Sequence, residues 1–525
     1  MPLSPSRPTP TALVRGLALT AAIAVIIANV IGTGVFLKAR VMTCNVGTPD
    51  MVIVVWVVAG LLSLAGALTY AELGSMMPKA GGEVNYLTAA YGPRWGFLYG
   101  WMQLLVGKTG SQASVAVAFA AGLAAVMGTG GAALGEPLFS IGAWSLKPLQ
   151  LVAVGIIAVG TVLNLASVKA GGRIATVLTV VKVALVAGVG TAAFLWARGT
   201  FANYGLDVGA GACEGVPAAA RLGVAGFGAA MLAALWGYDG WNNLALVAGE
   251  VKDPKRNIPR AFLIGTGLII ILYVFVNAAY YFVMAPEAIA SVAQDGGVVA
   301  IEVLRRVLGP VGVTIMAVGL MLSSFGTLHS SVLSGARVPY AMSRDGLLPK
   351  KLSEVNPRTR IPVTSVLVQG VWASVLALSG SFDTLTDYVI FGSWIFYGLT
   401  TSSVFVLRRK YPNVERPYKT WGYPVVPALF LLVTAFLLSN TLYGAFVQAW
   451  GGVQAIAGGD VGDGLYTVFS ASPIASLILI GAGLPIYAYY ARRGGTPHDP
   501  FADESLPESA LEGSSSETSS GTASK

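Results

Sequence analysis

Long apolar stretches without a charged residue recur along almost the whole of this chain. The first, residues 16–37, extends from Arg15 to Lys38, and a helix of about 20 residues is long enough to cross a bilayer. Within lipid a segment must satisfy its backbone hydrogen bonds internally, as a helix does. Charged residues make up only 11% of the 525 residues, against roughly a quarter in a soluble domain. The pattern predicts a membrane protein that crosses the bilayer many times.

Twelve such stretches are predicted to cross the membrane, so the predicted fold class is an all-α membrane protein with twelve transmembrane helices. They form one transmembrane domain over residues 16–491, after a cytoplasmic tail, 1–15. Residues 494–525 are rich in Ser, Glu and Gly and are predicted to be a disordered cytoplasmic tail, because they have little apolar surface to bury. The predicted spans are 16–37, 51–73, 95–126, 149–167, 173–197, 222–249, 260–284, 310–340, 362–381, 385–407, 424–447 and 467–491.

The distribution of basic residues predicts the orientation of these spans. An even number of spans places both termini on one side, and most of the 33 lysines and arginines lie on that same side. By the positive-inside rule this side is the cytoplasm, which predicts a multi-pass protein of the cell membrane. The net charge of +8 therefore needs no nucleic-acid partner, although the basic surface can also bind anionic lipid. The predicted outer segments hold only Lys38, Arg40, Lys147, Arg198, Arg221, Arg305 and Arg306.

Glycines interrupt two of the spans. The first span contains "ANVIGTGVFL", residues 28–37, and each glycine costs about 1 kcal/mol relative to alanine inside a helix. The sixth contains Gly237 and Gly240, which flank Tyr238 and Asp239. Small residues can serve close helix packing, but irregular backbone at membrane depth is tolerated where it lines a cavity. Paired interruptions in two halves of a chain are typical of transporters built from inverted repeats.

Two interrupted helices offer a receptor for a zwitterion. The second half of each helix begins with free N–H groups, which suit a carboxylate, and the first half ends with free C=O groups, which suit an ammonium. An α-amino acid carries both groups. The paired breaks therefore predict a binding site for an α-amino acid between the two halves.

Four segments resemble the amino acid–polyamine–organocation superfamily, and within it the L-amino acid transporter family. They are "VIGTGVF", "YAELGSMMPKAGGEVNYLTAAYG", "ALWGYDGWNNLALVAGEVKDPKRNIPRA" and "SSVLSGARVPYAMSRDGLLP". The resemblance implies a five-plus-five inverted-repeat fold of the leucine-transporter type with helices 1 and 6 broken. The implied repeats are residues 16–197 and 222–407, with two additional helices in 424–491.

The resemblance also implies the substrate-binding residues. Backbone N–H groups and the Thr33 hydroxyl would hold the carboxylate, and backbone carbonyls would face the ammonium. Trp236 would be the aromatic gate over the pocket, unless it only packs in the core. The residues implied for the carboxylate are Ile31, Gly32, Thr33 and Gly34. Those implied for the ammonium are Ile27, Ala28, Leu235, Trp236 and Tyr238.

Two ionisable residues in the predicted spans have more than one interpretation. A lysine in hydrocarbon costs at least about 2.5 kcal/mol, so Lys182 needs a partner or a task. The resemblance implies that it occupies the site of a coupling cation and connects spans 1 and 8; proton coupling and snorkelling toward the cytoplasm are the alternatives. Asp239 is a candidate site for the substrate ammonium or a proton, or the N-cap of the following half-helix.

The sequence offers few residues for chemistry other than solute binding, and a few further residues are candidates for the pocket wall. No Cys/His cluster is present in the sequence, so neither a metal site nor a cofactor is expected. Cys44 and Cys213 fall in predicted outer loops, where they either pair or remain free. An intramembrane enzyme or a channel is disfavoured by the paired breaks. The possible lining residues are Lys108, Ser323, Ser324, His329, Ser393 and Trp394.

The function implied by the resemblance is sodium-independent exchange of neutral L-amino acids by alternating access. The alternative is a proton-coupled symporter of amino acids or polyamines. Some members of the family pair with a single-span glycoprotein through a cysteine of the 3–4 loop. That loop has no cysteine here, so no disulfide-linked heavy chain is expected, and the oligomeric state is left open.

We expect Gly34→Leu to abolish transport of labelled amino acid while the protein still inserts into the membrane. A large side chain would fill the space that the break provides. Uptake into cells, normalised to the amount of protein in the membrane, measures this. Uptake equal to that of the unsubstituted protein would refute the assignment of residues 31–34 to the substrate site.

Overall fold

The computed structural model describes residues 14–141, 144–166, 168–209, 213, 216, 220–292, 297–379, 382–470, 472–494 and 506–507. Almost all of the two predicted tails, 1–15 and 494–525, lies outside these residues. Two pairs of short strands occur among them. These are β1 (Val14–Arg15) with β4 (Leu506–Pro507), and β2 (Phe139–Ile141) with β3 (Trp144–Leu146).

Helices account for most of the described chain. Many begin at a proline, whose fixed φ and missing N–H suit the first helical position. The helices are α1 (Leu19–Val30), α2 (Gly34–Leu37), α3 (Ala39–Val46), α4 (Pro49–Met76), α5 (Glu83–Tyr91), α6 (Pro93–Met102), α7 (Lys108–Met127), α8 (Pro148–Asn164), α9 (Val168–Trp196), α10 (Gly223–Tyr238), α11 (Asn243–Leu246), α12 (Pro254–Val283), α13 (Pro286–Ala290), α14 (Val299–Leu308), α15 (Pro310–Gly335), α16 (Arg337–Arg344), α17 (Val363–Ser379), α18 (Phe382–Lys410), α19 (Val425–Ala457), α20 (Val461–Ser470), α21 (Ser472–Gly481) and α22 (Gly483–Ala491).

Nine helical segments of the described chain are long and apolar enough to cross a membrane. Three shorter apolar helices, α8, α10 and α17, overlap the predicted spans 149–167, 222–249 and 362–381. The outer surface agrees with a lipid environment, because large apolar side chains point outward on several helices. Val162, Val180, Val371 and Leu432 are between 64% and 68% exposed. The chain is therefore a mostly helical, multi-pass membrane protein.

The helical backbone is interrupted where the glycines occur. Between α1 and α2, residues 31–33 are not helical, and residues 239–242 separate α10 from α11. Gly240 has a φ of 104°, a conformation that side-chain-bearing residues rarely adopt. A π-helical segment, Gln103–Gly107, also joins α6 to α7.

Helix α1 lies in the interior of the molecule. It contacts α9, α12 and α15, and its residues from Ala24 to Val30 are all buried. Helix α10 contacts α3 and α4. The interruptions of both helices are therefore surrounded by protein, which is the condition under which irregular backbone survives at membrane depth.

The two cysteines of the sequence form one intrachain disulfide. Cys44 in α3 is bonded to Cys213, and their Cα atoms are 5.6 Å apart. The guanidinium group of Arg221 donates to the Cys213 carbonyl. Of the two possibilities that the sequence left open, the structure has the paired form.

A buried ion pair joins α16 to the short 3₁₀ turn after α11. Arg337 Nε donates to Glu250 Oε1 at 2.7 Å, and its Nη2 donates to Oε2 at 3.1 Å. The two side chains are 1% and 3% exposed. The Glu250 carbonyl also accepts the N–H groups of Gly16 and Leu17. This pair ties together the start of α1, the end of α11 and α16.

We expect Glu250→Ala to destabilise the protein by about 3–5 kcal/mol, because Arg337 would be left as an uncompensated buried charge. The measurement is the thermal unfolding of purified protein in detergent. The control is Glu302→Ala: Glu302 pairs with Arg305 and Arg306 at the surface, where a pair contributes about 1 kcal/mol or less. Equal melting temperatures for the two variants would contradict this account.

Candidate functional site

The two interrupted helices touch each other beside their breaks. A Cβ atom placed on Gly34 would lie 2.5 Å from the Cα atom of Gly237 and 3.2 Å from Trp236 Cδ1. A Cβ atom on Gly240 would lie 3.0 Å from the carbonyl group of Asn29. Residues without a side chain are what permit this approach. The break of α1–α2 and the break of α10–α11 therefore form one site.

Free hydrogen-bond donors collect at the start of α2. Within the described residues, the backbone N–H groups of Gly32, Thr33, Gly34 and Val35 donate no hydrogen bond. The first N–H groups of a helix have no partner inside it. Although α2 is short, its helical hydrogen bonds continue through Lys38 into α3. Thr33 Oγ1 is also buried without a partner among the described residues. Such a set of donors suits an anionic group, a carboxylate above all.

One side chain of α12 connects the two breaks. The Tyr273 hydroxyl lies 2.9 Å from the Val30 carbonyl oxygen and 3.0 Å from that of Gly237. Tyr238, predicted at the site, points its hydroxyl away toward the Trp56 carbonyl, at 3.0 Å. A hydroxyl has one proton to donate, so Tyr273 supports one carbonyl at a time.

The carbonyl groups at the end of α1 differ in their partners. The Ile27 carbonyl accepts the N–H of Ile31 at 2.9 Å, and the Ala28 carbonyl accepts a bond from Lys182. The Asn29 carbonyl accepts no hydrogen bond among the described residues. Of these carbonyl groups, only that of Asn29 has no partner among the described residues and can still accept from an ammonium group, whereas the sequence pointed to those of Ile27 and Ala28.

A small cavity opens beside the breaks. Five predicted residues line it: Gly32, Thr33, Gly34, Trp236 and Asp239. Five others do so without having been predicted: Asn29, Val30, Ser111, Val115 and Thr327. The remaining residues implied for the substrate are absent from this wall: Ile27, Ala28, Ile31, Leu235 and Tyr238.

Only some of the residues that line the cavity can be predicted from the sequence. Asn29 and Val30 are adjacent to the first break, so their position follows from that of Gly32. Ser111 and Val115 lie on α7, which has no periodic mark that would single them out. Trp236 lines the cavity and is 7% exposed, so its side chain lies in the protein interior.

Lys182 connects α1 to α15. Its Nζ donates to the Ala28 carbonyl at 2.6 Å and to Thr327 Oγ1 at 2.7 Å. The side chain is 1% exposed, so the structure does not have the snorkelling arrangement. Ser323 Oγ lies 3.2 Å and 3.0 Å from the carbonyl oxygens of Ile31 and Gly32. Side chains of α9 and α15 thus bind the last carbonyl groups of the first half-helix.

Asp239 faces the cavity, and its Oδ1 accepts a hydrogen bond from the Tyr397 hydroxyl at 2.7 Å. The N-cap position of α11 is occupied by Asn242. The helix-capping interpretation of Asp239 is therefore wrong, because the non-helical segment extends three residues beyond it. A carboxylate in this wall can interact with a cationic group of a bound solute.

The other candidate lining residues lie outside the cavity wall. Lys108 donates to Asn243 Oδ1, beside the second break. His329 Nδ1 is 3.0 Å from Asn164 Nδ2, and Trp394 stacks on Phe430. These contacts explain their burial without a solute. Ser324 and Ser393 are likewise buried away from the wall.

A central cavity between two interrupted helices, inside a multi-pass helical protein, is the arrangement of a carrier for a small solute. Comparison with known proteins agrees with this class. The model of the amino acid permease family matches residues 17–490. The chain belongs to this family, and the resemblance to the amino acid–polyamine–organocation superfamily is confirmed.

Named relatives extend the comparison. The chain is 31% identical to the serine/threonine exchanger SteT of Bacillus subtilis (strain 168), over 82% of this chain and 92% of the relative. It is 32% identical to the human b(0,+)-type amino acid transporter 1, over 82% and 83%. It is 30% identical to the human large neutral amino acids transporter small subunit 2, over 82% and 76%. The chain is therefore an amino acid transporter of the membrane and not an enzyme.

We expect Lys182→Met to reduce amino acid transport at least about tenfold while the protein remains folded, because the Ala28 carbonyl and Thr327 lose a charged donor. Transport in proteoliposomes, normalised to reconstituted protein, measures this. Lys255→Met is the matched control, since Lys255 forms an exposed pair with Glu415. Full activity of Lys182→Met would show that the bridge between α1 and α15 is not required.

Proposed function

We propose that this protein is a sodium-independent exchanger of neutral L-amino acids that works by alternating access. The proposed fold has twelve transmembrane helices in two inverted repeats, 16–197 and 222–407, followed by two helices in 424–491. The protein would lie in the cell membrane with both termini in the cytoplasm, as the basic residues favour.

The observation that carries the proposal is the contact between the two breaks at Gly34 and Gly237. At this contact the unpartnered N–H groups of Gly32, Thr33 and Gly34 and the Thr33 hydroxyl lie beside the cavity. They would bind the substrate carboxylate. The Asn29 carbonyl and the Asp239 carboxylate would bind the ammonium group, so that both charges of a zwitterion are neutralised.

The cavity favours small neutral side chains. Trp236 covers the wall next to Gly34, and Val30 and Val115 supply apolar surface. Apolar contacts discriminate by only about 1–3 kcal/mol for each methylene, so several neutral amino acids would share the site. Trp236 would act as a gate that must move when the substrate leaves.

Sodium independence is supported by Lys182. Its ammonium group donates to a carbonyl of α1 and a hydroxyl of α15, two oxygen ligands of the kind that a sodium ion would use. The Lys182 amine would occupy the space and the oxygen ligands that such a cation needs. The helices would then be held together without bound sodium.

Exchange is supported by the relatives, one of which is named a serine/threonine exchanger. In a carrier that exchanges, the empty form reorients slowly, so that solute on the other side is needed for net turnover. Both cysteines of this sequence are in the intrachain disulfide. We therefore propose a protein that works without a disulfide-linked heavy chain.

The alternative function is a proton-coupled symporter of amino acids or polyamines. The specific observation that favours it is the Asp239 carboxylate in the cavity wall. A carboxylate there could carry the coupled proton or bind a second ammonium group of the solute. The two functions differ in whether substrate is needed on the opposite side of the membrane.

The proposal predicts that purified protein in liposomes takes up labelled alanine only when the liposomes contain unlabelled amino acid. Replacing sodium with potassium should leave the initial rate unchanged. Competition by each of the twenty amino acids should identify small neutral side chains as the best competitors. The Gly34→Leu protein, reconstituted in parallel, is the control for leak.

Uptake into empty liposomes driven by a pH gradient would overturn exchange in favour of proton coupling. A requirement for sodium would overturn the role proposed for Lys182. Competition by polyamines in preference to alanine would point to the alternative substrate class.

A further inference from the structure

A chain of buried hydrogen-bonding side chains leads from the cavity wall to α5. The Tyr397 hydroxyl lies 2.7 Å from Asp239 Oδ1 and 3.1 Å from Asn242 Oδ1. Asn242 Nδ2 in turn donates to Glu83 Oε1 at 2.6 Å. Asp239 lines the cavity, whereas Glu83 is the first residue of α5 and lies outside it. The chain therefore joins the transport site to a carboxyl group that the mechanism above does not use.

The backbone at the start of α5 packs directly on α11. The Gly81 N–H donates to the Leu246 carbonyl at 2.9 Å. A Cβ atom on Gly82 would lie 2.6 Å from the carbonyl carbon of Ala245, so only glycine fits at this contact. Glu83 follows these two glycines, which brings its side chain to Asn242 at the N-cap of α11. We call this group of contacts the α5–α11 contact.

The α5–α11 contact holds one end of the second break. Asn242 and Asn243 are the two residues that precede and begin α11. Asn242 is bonded to Glu83 on α5, and Asn243 is bonded to Lys108 on α7. Neither asparagine is more than 2% exposed. The position of the break relative to its surroundings is thus set by two amide side chains and their ionisable partners.

Glu83 is the titratable member of this contact. It is completely buried, and burial raises its pKa to about 7, against the opposing effects of the Asn242 hydrogen bond and the Lys108 charge. Its ionisation therefore changes between pH 6 and pH 8. The charged and titratable groups that interact with it are Tyr70, Tyr86, Tyr99, Tyr397 and Lys108. Asp239 interacts in turn with Tyr397 and Lys108.

The two forms of Glu83 hold Asn242 with different strength. A hydrogen bond to a carboxylate is roughly twice as strong as one to a neutral group, so the bond from Asn242 is strongest when Glu83 is ionised. Tyr397 has a single proton to share between Asn242 and Asp239. A change in the hydrogen bonding of Asn242 therefore alters the hydrogen bond to Asp239, because the two residues share the Tyr397 hydroxyl.

We propose that Glu83 is a positioning residue for transport: its carboxylate form holds Asn242, and with it the α10–α11 connection, in the arrangement that completes the cavity, and protonation loosens this hold. The inference rests on the proposed transport of amino acids. It adds that pH controls substrate binding through Glu83, a residue that lies outside the cavity. Because a preorganised site binds more tightly, the apparent affinity for substrate should rise as the pH rises through 7.

The test is the KM for labelled alanine in exchange, with both faces of the liposome held at the same pH between 6 and 8. For the unsubstituted protein we expect KM to be on the order of fivefold lower at pH 8 than at pH 6. Glu83→Gln should keep a KM close to the pH 6 value throughout. Glu83→Asp should restore a pH-dependent KM, because it restores the titratable group.

Glu302→Gln is the matched control, since Glu302 lies at the surface in pairs with Arg305 and Arg306 and should leave the pH profile unchanged. Tyr397→Phe should reduce the pH dependence of KM, because it removes the hydroxyl between Asn242 and Asp239. The ionisation of alanine itself is common to all the proteins and cancels in the comparison.

A KM that is flat between pH 6 and 8 in the unsubstituted protein would overturn the inference, even if Glu83→Gln failed to fold. The same pH profile in Glu83→Gln as in the unsubstituted protein would also overturn it. Both results leave amino acid exchange standing. A failure of the proposed function would instead appear as the absence of alanine exchange in the unsubstituted protein at every pH.

Discussion

The close approach of Gly34 to Gly237 is the constraint on which the rest of the molecule depends. Two helices that cross without side chains between them bring their interrupted backbones into direct contact. The unpartnered N–H groups of residues 32–34 can then face a cavity that the second break also lines. In lipid these groups would cost several kcal/mol each, so the surrounding helices must exclude lipid from them.

Polar side chains of neighbouring helices hold the ends of the interrupted helices. Lys182 and Ser323 bind carbonyl groups of the first break, and Tyr273 reaches both breaks. Asn242 and Asn243 bind ionisable partners at the second. Each bond is individually modest because it replaces a bond that water would make. These side-chain hydrogen bonds can be exchanged when the half-helices move. A continuous helix would instead have to break its own backbone hydrogen bonds.

The glycine pattern was sufficient to predict the position of the site but not its full wall. Gly32, Gly34 and Gly237 could be found because glycine in an apolar helix is costly and demands an explanation. Ser111 on α7 could not be found, since a small polar residue in a span is equally at home in helix packing. The Ile27 carbonyl was predicted to face solute, but its hydrogen bond to Ile31 depends on where the helix ends, and sequence fixes helix ends poorly.

The contacts of Asp239 and Glu83 likewise could not be predicted from the sequence alone. An aspartate beside a helix break has an N-cap as its ordinary explanation, and only the three further non-helical residues before α11 turn its carboxylate toward the cavity. In the sequence, Glu83 is an acidic residue between two predicted spans, and no feature of the pattern distinguishes it. Its burial against α11 arises from the chain path at Gly81 and Gly82, which no local pattern specifies.

The sequence by itself determined the membrane environment, the helical class, the family and the two points where the backbone gives way. These follow from properties that each residue carries locally: hydrophobicity, charge and backbone freedom. The tertiary structure alone decided which donors stay free, which carbonyl groups are already occupied, that Cys44 meets Cys213, and which ionisable groups face one another. These are relations between residues far apart in the chain, and they exist only after packing has brought the helices together.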